Sequence, residues 1–145
     1  ILRLLIELAV YEKDPDAVKI TEKDLLEDGF RDNPRYECFI AEINSEIVGL
    51  AFYTPRYSTW DGKTLHLEDL VVTEKMRGKG IGLSLYKSFL KEAKKQGVNR
   101  VEWSVLDWNK PAINFYLKSG ALIDDYSKWK IVRMNKSLIE KFLSS

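Results

Sequence analysis

The sequence predicts an α/β domain with a mixed, centrally splayed β-sheet flanked by helices. The chain opens with helical periodicity, continues with three β-rich runs, and then alternates strand and helix around a glycine-rich turn. This order of elements is typical of a mixed sheet covered by helices. A break in the strand alternation at Glu68-Asp69 predicts a β-bulge, and we expect neighbouring strands to part beyond it.

Length, charge and composition exclude several classes of protein. The 145 residues form one domain, residues 1–145, and 23 Lys plus Arg against 22 Asp plus Glu argue against nucleic-acid binding. One cysteine, Cys38, and one histidine, His66, leave no internal disulfide and no Cys/His metal cluster, so we expect no metal. Without a membrane-spanning run or a signal peptide, we expect a cytoplasmic protein that does not associate with membranes.

Two helices are predicted before the first strand. Residues 1–12 carry apolar side chains at helical spacing, and Tyr11 and Glu12 lie at the exit of this helix. From the pattern alone, these two residues fit either a polar helix end or a binding position. The segment Thr21-Glu22-Lys23-Asp24 has the form of a capping box for a second helix, which ends near Gly29.

Three β-rich runs follow and predict an antiparallel meander. Residues 36–43 and 47–54 are joined by the turn Asn44-Ser45-Glu46, and a third run begins at Lys63. The loop between the second and third runs carries Tyr57 and Trp60. These aromatic side chains fit a cover for the sheet edge and a substrate wall equally well.

The glycine-rich turn contains Gly78, Gly80 and Gly82 immediately before a helix. Such a turn frees backbone amides and places them at the positive end of the helix dipole, which predicts an anion site suited to a pyrophosphate. Leu83 breaks the dinucleotide pattern G-x-G-x-x-G, and no Gly-Lys-Ser/Thr closes a Walker A loop. Because the turn alone also fits a purely structural role, its function depends on the surrounding residues.

The strand before this turn changes phase. In a regular strand, the side chains of Leu65 and Leu67 would point to one face of the sheet, whereas those of Leu70 and Val72 would point to the other. The change of face lies at the two carboxylates Glu68-Asp69. We therefore place the bulge at these acids. Beyond it, the backbone of residues 70–72 loses ladder partners and becomes available to an extended, amide-bearing ligand.

The second half of the chain continues the alternation. We predict a helix ending at Gly97, a strand over residues 101–106, a short helix capped by Asn109, a final strand over Trp129–Met134 and a terminal helix over Leu138–Leu143. Cys38 lies in a predicted strand, where a core position is a better interpretation than a nucleophile.

Two motifs in this order resemble those of one enzyme superfamily. Residues 77–82, Arg-Gly-Lys-Gly-Ile-Gly, resemble the acetyl-CoA motif R/Q-x-x-G-x-G/A of the GNAT acetyltransferases. Residues 109–116 resemble its second motif, N-x-x-A-x-x-F-Y. Further stretches, including Leu67-Glu68-Asp69 and Trp108-Asn109, are similar to the spermidine/spermine and thialysine acetyltransferases. The resemblance implies a GNAT-type sheet whose first strand has no counterpart in this chain.

The resemblance implies acetyl-CoA as the cosubstrate, bound in the splay of the sheet. Its pantetheine arm would pair with the backbone of residues 70–72, its pyrophosphate would lie on the glycine turn, and residues of the short helix would line the other side. The implied cofactor-binding residues are Leu70, Val71, Val72, Arg77, Gly78, Lys79, Gly80, Ile81, Gly82, Leu83, Asn109 and Ala112.

The implied reaction is direct attack by a primary amine in a ternary complex. An amine with a pKa near 10.4 is neutral in only about one molecule in two to three thousand at pH 7, so a base is needed. Glu68 at the bulge is the expected base, directly or through water, and Asp69 attracts the cation. The resemblance assigns to Tyr116 the role of the acid that protonates the departing thiolate.

The acceptor is expected to be a small polyamine, a diamine or a lysine-like amine of the thialysine type. The family's substrate contacts fall on Tyr11, Glu12, Trp60, Glu68, Asp69 and Trp129. Polyamine acetylases carry an acid where this chain has Ser58, which leaves room for a shorter acceptor. Two alternatives are a protein lysine or N-terminal acetyltransferase and a non-catalytic CoA-binding module. The family also implies a homodimer.

Overall fold

A computed structural model describes residues 1–124 and 131–144 of the chain. These residues form helices and strands in the following order: α1 Leu2–Tyr11, α2 Glu22–Gly29, β1 Glu37–Ile43, β2 Glu46–Ser58, β3 Gly62–Val72, a 3-10 turn Glu74–Met76, α3 Ile81–Gln96, β4 Arg100–Glu102, α4 Lys110–Lys118 and α5 Lys136–Leu143. The chain divides into two compact units, residues 1–104 and residues 105–145, which are described separately. One domain over residues 1–145 stays a prediction.

The first unit contains a mixed sheet in the order β1-β2-β3-β4. Strands β1, β2 and β3 form the predicted antiparallel meander, and β4 runs parallel to β3. The turn between β1 and β2 places Asn44 and Ser45 in the left-handed region, with φ of 51° and 63°. Two such residues are typical of a tight hairpin turn. The α/β class and the mixed sheet are therefore confirmed.

The two faces of this sheet carry different helices. On one face, α1 and α2 pack on an apolar cluster formed by Leu4, Leu5, Leu25, Tyr36, Leu50, Phe52 and Val71. The Tyr36 and Phe52 rings stack at 4.2 Å in this cluster. On the opposite face, α3 covers Tyr53, whose ring lies 5.4 Å from that of Phe89. We call these the α1 face and the α3 face.

The predicted bulge lies at Glu68. Phe52 pairs with Asp69 and Tyr53 pairs with Leu67, so Glu68 has no partner on β2. An extra residue restores the alternation, which explains why Leu67 and Leu70 lie on the same face despite their spacing. Both are paired with residues of the α3 face, Tyr53 and Ala51.

Strands β3 and β4 part soon after they meet. Their ladder joins only Thr64–His66 to Arg100–Glu102. The predicted strand over residues 101–106 is therefore too long, because its second half leaves the sheet. Within the described part of the chain, no ladder pair joins β3 to β4 beyond His66, which confirms the splay.

The helix boundaries follow their capping residues. Thr21 and Asp24 form the predicted capping box of α2, and Gly97 ends α3 with a φ of 65°. Asn109 caps α4, and α5 begins slightly before the predicted residue 138. The predicted final strand is wrong over residues 131–134, which have no strand structure, and Trp129 lies outside the described residues. Among the described helices, none has the length and apolar character needed to cross a membrane.

Candidate active site

The bulge in β3 turns two consecutive carboxylates toward the α1 face. Asp69 pairs with Phe52, which belongs to the α1 face, and Glu68 contacts Thr54, two residues further along β2. In a regular strand, neighbouring side chains point to opposite faces. The irregular position of Glu68 is therefore what brings both acids to one side of the sheet.

A cavity of about 290 Å³ lies between α1 and this part of the sheet. Its carboxylates are Glu12, from the exit of α1, and Asp69. The other lining residues are mostly apolar: Leu5, Leu8, Ala9, Ala17, Val18, Lys19 and Ile20. The cavity thus combines a hydrocarbon wall with two acids, which suits an alkyl chain that carries a positive charge.

Both cavity carboxylates are held in an unfavourable setting for negative charge. Burial raises the pKa of Asp69 to about 6, and the charges of Glu12 and Glu68 add to this effect. Burial also raises the pKa of Glu12 above its usual value. A bound cation would relieve this cost by supplying the missing opposite charge.

Glu68 is exposed at the bulge, and each of its oxygens faces a different side chain. Thr54 Oγ1 donates a hydrogen bond to Glu68 Oε1 at 3.3 Å. His66 Nε2 lies 3.9 Å from Glu68 Oε2. The carboxylate is therefore oriented by its neighbours on β2 and β3 and remains open to solvent.

A charged network extends from His66 across the sheet. Arg56 Nη1 lies 3.5 Å from His66 Nδ1 and forms an ion pair with Glu102. Arg100 also binds Glu102, with 2.9 Å between Nη2 and Oε2, and forms a second ion pair with Asp61. His66 and Arg56 were not among the predicted site residues. His66 is two residues from Glu68 in a predicted strand, which was the available signal, whereas Arg56 lies beyond the predicted end of the second run and is part of β2 only in the structure.

The glycine turn places its residues at the start of α3. Gly78 and Gly80 have φ values of 74° and 81°, and Gly80 is the residue that precedes α3. Gly82 lies inside the first turn of α3 without a left-handed φ, so the helix begins before the third glycine rather than after it. Ile81 and Leu83 belong to the same first helical turn, where backbone N–H groups lack intrahelical partners. This geometry suits an anion.

Arg77 connects the glycine turn to β3 and α1. Its Nε donates to the carbonyl oxygen of Val72 at 2.9 Å, and its guanidinium lies over the ring of Tyr11. Helix α1 is also joined to this segment by Glu7, which accepts hydrogen bonds from the Thr73 hydroxyl and the Glu74 amide, both at 2.9 Å. Tyr11, expected at the substrate, thus contacts a residue expected at the cofactor. Lys79 lies on the exposed side of the turn, with Nζ 3.4 Å from Met76 Sδ.

The strand segment expected to hold the pantetheine arm lies on the open side of β3. Leu70, Val71 and Val72 pair with residues 49–51 of β2. Their other side faces the splay, where the β4 ladder has ended. The carbonyl oxygen of Val72 is bound by Arg77 Nε, and an extended ligand with amide groups could pair with the remaining backbone groups in the manner of an added strand.

The loop between β2 and β3 is organised by Ser58. Its hydroxyl accepts hydrogen bonds from the amides of Trp60 and Asp61, both at 3.2 Å. Trp60 is 80% exposed and Tyr57 is 77% exposed, and neither lines the cavity. The serine at this position therefore stabilises the turn, while Asp61 is paired with Arg100.

The second unit presents the remaining predicted residues on α4. Asn109 Oδ1 accepts a hydrogen bond from the Ala112 amide at 3.3 Å, which caps the helix. Tyr116 lies near the end of α4, and its ring is 5.3 Å from that of Phe115 in an edge-on arrangement. Leu117, the next residue on α4, is half exposed. Trp129 cannot be placed, since it falls outside the described residues.

Comparisons with known proteins agree on one family. A family model described as "Acetyltransferase (GNAT) family" matches residues 5–121. The chain is 43% identical over 129 residues to a thialysine N-epsilon-acetyltransferase of Bos taurus, covering 83% of this chain and 76% of that protein. It is 40% identical over 144 residues to a spermidine/spermine N(1)-acetyltransferase-like protein 1 of Homo sapiens, covering 94% of this chain but only 21% of that protein.

Solved structures support the fold. An integron cassette protein from the mobile metagenome of V. cholerae superimposes with a TM-score of 0.76 at 25% sequence identity. The match covers 99% of this chain and 90% of the other.

Proposed function

This chain belongs to the GNAT family of acetyl-CoA-dependent N-acetyltransferases, and we propose that its acceptor is a primary amine on a small polyamine, diamine or lysine-like molecule. The observation that carries the proposal is the cavity in which Glu12 and Asp69 face an apolar wall. The wall suits methylene groups, and the two acids suit an ammonium. The names of the bovine and human relatives, which refer to thialysine and to spermidine/spermine, support the same class of acceptor.

In this proposal, Asp69 and Glu68 have different roles toward the amine: one binds the cation and the other accepts its proton. Asp69 binds the cation, because its buried carboxylate gains most from a positive neighbour. Glu68 takes the proton from the ammonium: the N–H bond breaks, an O–H bond forms on the carboxylate, and the neutral nitrogen attacks the acetyl carbonyl carbon. Its exposure at the bulge supports access for the amine or for one bridging water.

The cosubstrate side of the proposal uses the splay and the glycine turn. We expect residues 70–72 to pair with the pantetheine amides, and Arg77, Lys79 and the first amides of α3 to receive the pyrophosphate. Tyr116 would donate its phenolic proton to the sulfur as the carbon–sulfur bond breaks, releasing free CoA. No covalent enzyme intermediate is required, because the amine attacks the thioester directly.

The acids available to the acceptor favour a short molecule. The loop residue Ser58 carries no charge, and the nearby Asp61 is engaged by Arg100. Among the described residues of the cavity and the bulge, the carboxylates that can bind a cation are Glu12, Glu68 and Asp69. We therefore expect higher kcat/KM for a diamine or a lysine-like amine than for a long polyamine.

An amine panel tests the proposal. The purified protein is incubated with acetyl-CoA and putrescine, spermidine, thialysine or lysine, and release of free thiol is followed. Release with at least one of these amines is expected, and it should fall sharply in Glu68→Gln. Thiol release only with lysine-containing peptides would favour a protein acetyltransferase. Acetyl-CoA binding without release on any acceptor would favour a non-catalytic module.

The resemblance to the spermidine/spermine and thialysine acetyltransferases also leads us to propose a homodimer. Sedimentation velocity at low micromolar concentration measures the mass directly. A species of 16.8 kDa alone would contradict it.

A further inference from the structure

We propose that His66 is a positioning residue that holds the carboxylate of Glu68 oriented for proton abstraction. The inference rests on the proposed role of Glu68 as the base. It is carried by the placement of Thr54 and His66 beside the two oxygens of Glu68, and of Arg56 on the other nitrogen of the His66 ring.

His66 and Thr54 lie beside the carboxylate of Glu68. They are cross-strand partners on β3 and β2, and they face different oxygens of Glu68. The hydroxyl binds Oε1 at 3.3 Å, and the imidazole Nε2 lies 3.9 Å from Oε2. Because each oxygen has its own partner, the carboxylate cannot rotate freely. Without these partners, the side chain of a bulge residue would keep that freedom.

The contact with Arg56 determines the tautomer of the His66 imidazole. Arg56 Nη1 lies 3.5 Å from Nδ1, and a guanidinium donates hydrogen bonds but never accepts them. Nδ1 therefore accepts, and in neutral His66 the proton resides on Nε2, the nitrogen that faces Glu68. Arg56 is fixed in turn by its ion pair with Glu102.

Charged side chains from three strands surround the ring. Arg56 belongs to β2, Glu68 to β3 and Glu102 to β4, with Glu102 Oε1 4.0 Å from Nδ1. Arg100 contacts Glu102 at 2.9 Å. Nε2 therefore presents its N–H to Glu68, while Nδ1 faces Arg56 and Glu102.

The consequence for the reaction is the orientation of the base. A carboxylate whose rotation is restricted keeps its oxygens in the geometry that proton transfer requires. At 3.9 Å the contact with Nε2 is electrostatic, and such contacts often shorten when the substrate is bound. His66 itself gains and loses no proton in this step.

The test begins with the tautomer, which can be read without any activity. His66 is the sole histidine of the sequence, so its two ¹⁵N resonances need no further assignment. Long-range ¹H–¹⁵N correlation at pH 8 should show the proton on Nε2. Arg56→Met keeps an apolar stem but removes the donor to Nδ1, and the Nε2-bound form should then lose its dominance. A wild-type spectrum with the proton on Nδ1 would overturn the inference.

The second measurement concerns Glu68. The ¹³C carboxyl resonance, assigned by its loss in Glu68→Gln, is compared at pH 8 in the wild type, His66→Leu and His66→Gln. Its chemical shift should change in His66→Leu, because the N–H donor is gone. His66→Gln, whose amide reaches a similar position, should restore most of the wild-type chemical shift. An unchanged chemical shift in folded His66→Leu, or in Arg56→Met if the leucine variant does not fold, would contradict the proposal.

Kinetics separate this inference from the proposed function. With an active amine, kcat should fall severalfold in His66→Leu and recover in His66→Gln, while KM for acetyl-CoA stays constant. An unchanged kcat in folded His66→Leu would refute the role of His66 alone. A wild type inactive on every amine would refute the proposed function, whereas the tautomer and the Glu68 carboxyl resonance would still decide the contact.

Discussion

The guanidinium carbon of Arg77 lies 4.7 Å from the centre of the Tyr11 ring, at the point where α1 ends. One residue further along, Glu12 lines the acidic cavity. The contact between Tyr11 and Arg77 thus connects two expected sites. It joins the end of α1, which borders the expected amine site, to the glycine turn, which is expected to hold the pyrophosphate. Tyr11, which the family resemblance places at the substrate, thus contacts a residue that is expected to bind the cofactor.

Removing this ring is expected to weaken CoA binding. In Tyr11→Leu, Arg77 loses a cation–π contact of about 0.5–1 kcal/mol, so the Kd for CoA should rise about threefold. Tyr11→Phe keeps the ring and should bind as the wild type does. Isothermal titration calorimetry measures both. Acetyl-pantetheine, which lacks the pyrophosphate, serves as the control ligand: if its affinity falls equally in Tyr11→Leu, the ring does not act through Arg77.

Much of this region was predictable because strand alternation is a strict rule. A change of phase between Leu67 and Leu70 has few physical explanations other than a bulge, and the bulge lies at the predicted acids. Helix ends were equally predictable, since Thr21, Gly97 and Asn109 each satisfy backbone groups in the way their residue types favour.

Other features depend on contacts between distant segments and left no local pattern. Strand β4 ends at Glu102 although β-branched and apolar residues continue beyond it, because pairing with β3 stops there. The contact between His66 and Glu68 depends on the bulge in β3. The contact between Arg56 and His66 depends on the register of β2 relative to β3. Sequence periodicity identifies which residues of a strand share a face of the sheet. It does not identify which residues from other segments contact them on that face.

Replacing Asp69 is expected to stabilise the fold at neutral pH. Its pKa rises from 3.8 to about 6 on folding, so the folded state binds the proton more tightly. The resulting stabilisation is complete below about pH 4 and is lost as the pH rises through about 6. Asp69→Asn removes the buried charge and should raise the free energy of unfolding by about 3 kcal/mol at pH 8.

Urea denaturation of the wild type and Asp69→Asn between pH 4 and pH 8 measures this difference, which should shrink toward zero at the acidic end. Asp32→Asn, at an exposed aspartate, is the matched control and should show little dependence on pH. A difference that is constant with pH would mean that Asp69 is not the group responsible.

The two glycines around the start of α3 should respond differently to alanine. Gly80 has a φ of 81°, so Gly80→Ala forces a side chain into the left-handed region at a cost of about 1–2 kcal/mol. A Cβ on Gly82 would lie 3.6 Å from Val72 Cγ2, an ordinary contact, and Gly82→Ala should not destabilise the fold. Thermal unfolding of both variants makes the comparison. Equal losses of stability would show that the turn does not depend on the conformation of Gly80.

Tyr116→Phe is expected to separate chemistry from binding. The phenolic proton is needed only as the thiolate departs, so its loss should lower kcat about 100-fold while the Kd for acetyl-CoA changes less than about twofold. Tyr36→Phe is the matched control: its hydroxyl donates to the Leu25 carbonyl at 2.7 Å within the α1 face, so its loss should affect stability and leave kcat nearly unchanged. Single-turnover kinetics with a saturating amine isolate the chemical step. Undiminished turnover in Tyr116→Phe would mean that water or another group protonates the sulfur.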